Sequence, residues 1–213
     1  MTTDDALVTS FYPDMRDPRV MVAVPRARRA AMAGLWALAA RLTKLLVDAR
    51  EPLIGQIKLA WWRDMAAMLA TDPAGLPKGE PLLAELSATW AEQGGLDGLI
   101  DAAEAMLLAE SGQDRRTAAE SFGTRLFALS GGDAAGGRRW GLLWGAGVQE
   151  REAEARRLLA DARACEPAPG RLFAGNRALL MLDRWAAAIA RNDGERRWRS
   201  EGWLLFRLGL FGR

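Results

Sequence analysis

Between Pro25 and Ala49 the apolar residues Leu35, Leu38, Ala39, Leu42, Leu45, Leu46 and Ala49 recur in steps of three and one. Arg41, Lys44 and Asp48 fall between them, so the segment predicts a helix with one core-facing stripe and one wet side. A third line, Trp36, Ala40, Thr43 and Val47, runs between the two. The stretch "AREPLIG" interrupts the pattern and places Pro52 at the first position of a new helix, where its missing N–H is not needed. That helix is expected to run to about Thr71, where "TDPAGLPKG" stops it. Along it Ile57, Trp61, Met65 and Met68 form one apolar line, and Leu59, Trp62, Ala66 and Leu69 form the next. Both indoles are therefore expected to face protein, each burying roughly 200 Å². Arg63 and Asp64 remain for local ion pairs.

The same period predicts helices over about 80–93, 96–111, 115–130, 138–163, 172–191 and 198–210. Gly94-Gly95, Gly131-Gly132 and "EPAPG" at 166–170 punctuate them. No segment alternates as a strand would, and no repeat or low-complexity tract is present. The expectation is an all-α chain forming a single domain over 1–213. Residues 1–24 read as an irregular N-terminal arm and 198–213 as a peripheral helix.

At 213 residues and 50% apolar content the chain can bury one full core. A single cysteine, Cys165, excludes a disulfide within the chain, and the lack of histidine removes Cys/His zinc sites and Ser-His or Cys-His catalytic pairs. A Ser-Lys pair would have to come from three lysines, none near a motif. Glu166 beside Cys165 favours an ordinary thiol, and "SGGDAAGG" at 130–137 reads as a connector rather than a phosphate loop. The start "MTTDDALVTS" lacks a basic, then apolar, leader, and no stretch reads as the ~20 apolar residues of a membrane span. A soluble protein of a reducing, cytoplasmic compartment is the expectation.

The net charge of +2 is too small to imply nucleic-acid binding. Residues 15–50 are nevertheless basic, and residues 72–110 carry eight acids against Lys78. These segments either pair with each other across the fold or leave a basic surface for an anionic partner. Two acid sets have the spacing of four that stacks carboxylates on one helix face. Asp97 and Asp101, with Glu104 a turn further, could hold Mg²⁺ or form a wet face; Glu150 and Glu154 lie among Arg151, Arg156 and Arg157, where i,i+4 pairing is the simpler reading.

The run "RARRAAMAGLWALAARL" at 26–42 followed by "EPLIGQIKLAWWRD" at 51–64 resembles the squalene/phytoene synthase family. It is most similar to the branch related to the mitochondrial complex I assembly factor six proteins. "LDGLIDAAEAMLL" at 96–108 and "WRSEGWLLFRLGLFGR" at 198–213 extend the likeness, and "SFY" at 10–12 resembles a substrate-site element set too far from the next helix. The resemblance implies an isoprenoid-synthase-type helical barrel or bundle around a cavity. In active members two aspartate-rich DxxxD motifs hold Mg²⁺ that grips prenyl diphosphates. On this alignment the metal-binding aspartates of the first motif fall on Thr43 and Val47, and the acid between them on Lys44. Asp48 is one residue, about 100°, out of phase. The second motif should lie near "WGLLWGAGVQEREAEARR" at 140–157, where no DxxxD occurs.

The resemblance with its acids missing implies a non-catalytic binding or assembly-factor protein, with no catalytic, cofactor-binding or metal residues and an unnamed client protein or lipid as partner. A divergent Mg²⁺-dependent prenyl-diphosphate transferase using Asp97, Asp101, Glu150 or Glu154 stays open. So does a membrane-peripheral lipid-binding role, because Trp203, Phe206 and Phe211 lie among Arg199, Arg207 and Arg213 in the tail.

Overall fold

Prolines and short polar side chains mark where helices start in the computed structural model, which describes residues 12–212. The helices are α1 (Pro18–Met21), α2 (Arg29–Val47), α3 (Pro52–Thr71), α4 (Pro81–Trp90), α5 (Leu96–Leu107), α6 (Gly112–Leu129), α7 (Arg138–Gly147), α8 (Glu152–Ala164), α9 (Arg177–Arg191) and α10 (Trp198–Phe211). Proline opens α1, α3 and α4, where no intrahelical donor is required. Ser111 and Asp114 close a reciprocal capping box on α6, and the Asn176 side chain accepts from Leu179 N at the start of α9. Gly95, Gly131 and Gly212 take positive φ in the turns. Among the described residues there is no strand, and the helices form one domain around one core.

The helical hairpin α6–α7 runs through the middle of the domain. It is flanked by α5, α8 and α9; α2, α3 and α4 complete one side, while α1 and α10 pack on α9. The two central helices approach very closely. A Cβ on Gly141 would overlap the Ala119 carbonyl oxygen, and one on Gly123 would overlap that of Gly137. Glycine is required there because backbone cannot give way, and the spacing of four along Gly137, Gly141 and Gly145 keeps the small side on one face.

Several expectations change. The helix expected over 138–163 is two helices, with a break at 148–151 where Arg151 is extended. A straight helix of that length would run ~39 Å. The break instead folds α8 back so that Leu158, Leu159 and Ala162 bury against the hairpin. The helix expected from 172 begins at Arg177, after a 3₁₀ turn at Gly170–Phe173. In the arm read as irregular, α1 forms and Tyr12, Met15, Val20 and Val24 are buried, so its described part belongs to the core; Ser10 and Phe11 lie outside the described residues. Finally, Arg26–Val47, at 22 residues, is long and apolar enough to cross a membrane, contrary to the reading above. Here Leu35, Trp36, Leu38, Ala39 and Leu42 from that segment sit in the protein core.

Candidate functional site

The space enclosed by α2, α6 and α7 is filled with rings. Trp36, Phe122, Phe127, Trp140 and Trp144 are all buried, and the Phe122 and Trp144 planes stack at 3.8 Å between centroids. Trp36 and Tyr12 meet Trp140 edge-on at 5.1 and 5.3 Å. A buried indole needs an acceptor for its N–H. Each indole here has one: Trp36 Nε1 donates to Ser130 Oγ at 3.0 Å, Trp140 Nε1 to Pro13 O at 2.7 Å, and Trp144 Nε1 to Thr43 Oγ1 at 2.9 Å. Thr43 in turn donates to Ala39 O at 2.7 Å. Burial pushes the Tyr12 hydroxyl well above its usual pKa, with a hydrogen bond to Thr43 pulling the other way. Among the described residues no buried side-chain nitrogen or oxygen lacks a partner.

Of the three positions singled out on α2, only Thr43 faces this interior. Lys44 is exposed and pairs with Asp48 at 3.2 Å, and Val47, a turn beyond Thr43, is partly in solvent. Thr43, Lys44 and Val47 therefore do not converge on a common point. They also do not fit Mg²⁺, which takes carboxylate and water oxygens in octahedral array. The Thr43 hydroxyl is already committed, Lys44 is a cation, and Val47 has no donor atom.

The acid candidates lie elsewhere. Asp97 and Asp101 are on the exposed side of α5. Arg63 of α3 reaches across to Asp101 at 2.8 Å and to Glu104 at 2.6 Å, a link between helices where local ion pairs were expected. Glu150 is exposed in the α7–α8 connection, and Glu154 is held by Arg115 at 3.4 Å and Arg151 at 3.7 Å. The two acids are not on one helix, so the spacing of four does not stack them. Among the described residues no group of three potential metal ligands comes together.

Trp61 corrects another expectation. It is 39% exposed and stands edge-on to Trp62, which is buried. Helix α3 packs through the narrow stripe of Gly55, Leu59, Trp62, Met65 and Leu69, which leaves Ile57 and Trp61 outside it.

A cleft of about 470 Å³ between α6, α8 and α9 was not foreseen. Arg139 lies on its floor, buried, donating to Asp183 Oδ1 at 3.1 Å and to the carbonyls of Cys165 and Glu166 at 2.7 and 2.9 Å. Its Nε reaches Ala162 O at 3.4 Å. Arg139 thus satisfies carbonyls left open at the end of α8, and every guanidinium nitrogen is in use. Burial pushes the Asp183 carboxyl up while Arg139 and Arg184 pull it down. Burial likewise raises the half-buried Cys165 thiol, which disfavours its thiolate. The only sequence signal for this latch was the Arg138-Arg139 pair that opens an otherwise apolar helix.

Among known proteins, no family model, no curated protein and no solved structure matches this chain.

Proposed function

We propose that the chain is a non-catalytic relative of the squalene/phytoene synthases, an isoprenoid-synthase-type helical scaffold that binds a partner as the assembly-factor branch does. Thr43 carries the reading. On the alignment with the active enzymes it stands where a metal-binding aspartate is needed, and here its hydroxyl supports the Trp144 indole inside a close-packed aromatic centre. A prenyl synthase has to accommodate diphosphate, Mg²⁺ and long apolar chains together, and the rings of Phe122, Trp140 and Trp144 occupy the space beside Thr43. Asp101 and Glu104, the acids nearest in spacing to a metal motif, are both ion-paired with Arg63 of α3 rather than placed beside Thr43.

Partner binding is supported by the outer side of α3, within the stretch that carries the resemblance. Leu53, Ile54 and Ile57 stand largely in solvent beside Trp61. Exposed apolar side chains at this helical spacing offer a surface for a partner.

The test is incubation of the full chain with radiolabelled farnesyl and geranylgeranyl diphosphates, Mg²⁺ and NADPH, with an active synthase run in parallel. No squalene- or phytoene-length product is expected. Product above the no-protein control would overturn the reading in favour of a divergent transferase.

A further inference from the structure

We infer that the outer face of α10, together with the arginines of the α1–α2 turn, docks on an anionic lipid bilayer. This goes beyond the scaffold reading and does not depend on whether the chain is catalytic.

Helix α10 divides cleanly. Glu201, Leu205 and Leu208 are buried against the domain, and Glu201 accepts from Trp185 Nε1 at 2.8 Å. On the other side Trp203, Phe206 and Leu210 follow one another at helical spacing, with Trp198 and Phe211 at the ends, all more than half exposed. Trp203 and Phe206 stack on each other at 5.6 Å rather than on the protein. Arg199 and Arg207 flank this line, and the one acid of the helix, Glu201, is the buried one.

The neighbouring α1–α2 turn adds arginines, and the acids just before it, Asp14 and Asp17, are paired with Arg16 and Arg19. The Val22 side chain is exposed, and α1, just before it, packs on α10. Arg29 donates to the carbonyls of Val22 and Val24. Arg28 and Asn176 share the Ser130 carbonyl, and Arg177, next in the chain, donates to Gly209 O of α10 at 2.8 Å. Backbone contacts therefore tie Arg28, Arg29 and Arg177 to the region around α10. Because their partners are carbonyls, their charge is not cancelled. None of Arg26, Arg28, Arg29, Arg177, Arg199 and Arg207 meets a carboxylate among the described residues.

An apolar ridge rich in tryptophan and edged by Arg199 and Arg207 fits a surface whose headgroups are anionic and whose next layer is hydrocarbon. Tryptophan is favoured at that boundary, and arginine keeps its head at the phosphates while its stem lies along apolar surface. A protein partner would have to supply an apolar groove with acids all around it.

Deleting α10 would expose the core left by Leu205 and Leu208, so point changes are the sound test. The full chain is floated with vesicles of phosphatidylcholine alone and of phosphatidylcholine mixed with phosphatidylglycerol. Binding is expected to the mixed vesicles only and is weakened by salt. The pairs Trp203→Ser/Phe206→Ser and Arg199→Gln/Arg207→Gln should each lower the bound fraction roughly tenfold with circular dichroism unchanged. Absence of binding by the folded chain, or equal binding to neutral vesicles, would overturn the inference. A dimer that Trp203→Ser/Phe206→Ser dissociates, without vesicle binding, would assign the face to self-association instead.

Discussion

Trp144 in α7 and Trp203 in α10 stand at the extremes of exposure, 0% and 68%, and the two helices use the same side chain in opposite ways. In the centre every indole N–H has an acceptor, supplied by Thr43, Ser130 or the Pro13 carbonyl. The hydroxyls buried there are explained by the rings they serve. On α10 Trp203 and Phe206 stack on one another with Arg199 and Arg207 on the same helix, and Trp203 donates to no described residue. Polar groups beside the buried rings thus belong to the architecture, whereas Trp203 and Phe206 outside face solvent.

The comparison breaks most readily on stability. Trp144→Ala should cost about 3–5 kcal/mol, because it empties a stacked, fully enclosed position, while Trp203→Ala should stay within about 0.5 kcal/mol. Urea denaturation of the two variants would show it, and equal costs would mean the two regions are not different in kind. A smaller effect sharpens the role of the buried hydroxyl. Thr43→Val keeps the shape but leaves the Trp144 N–H without its acceptor, at a cost of about 1–3 kcal/mol, and Thr43→Ser should recover most of it. Thermal melts of both variants would expose a hydroxyl with no structural task, since Thr43→Val would then match the parent.

Much of the helical frame was readable from the chain, for local reasons. Pro52 begins α3 and the glycine turns fall where expected, since proline and positive-φ glycine act on the backbone around them. The apolar period correctly named Leu35, Leu38, Ala39 and Leu42 as a core stripe. What could not be read depends on partners distant in sequence. Trp61 and Trp62 are adjacent and identical, and only the stripe α3 turns toward α2, α4 and α5 decides which is buried. Arg63 was expected in a local ion pair, yet Asp101 and Glu104 on α5 take it. The charge segments did predict pairing across the fold in one case, Arg41 with Glu80 at 3.1 Å. The break between α7 and α8 has no proline to announce it; it follows from the need to bring Leu158 and Leu159 back to the hairpin. At the site, Thr43 was placed on the intermediate line of α2 from the period alone, but its bond to Trp144, 101 residues away, required the fold.

The central claim is that the interior beside Thr43 is filled and lacks the acids for a metal-held diphosphate. Calorimetric titration of the full chain with farnesyl diphosphate, with Mg²⁺ and again with the metal chelated, tests it most directly. The account predicts no saturable, Mg²⁺-dependent binding under either condition. Saturable binding that requires Mg²⁺ and vanishes on chelation would contradict it.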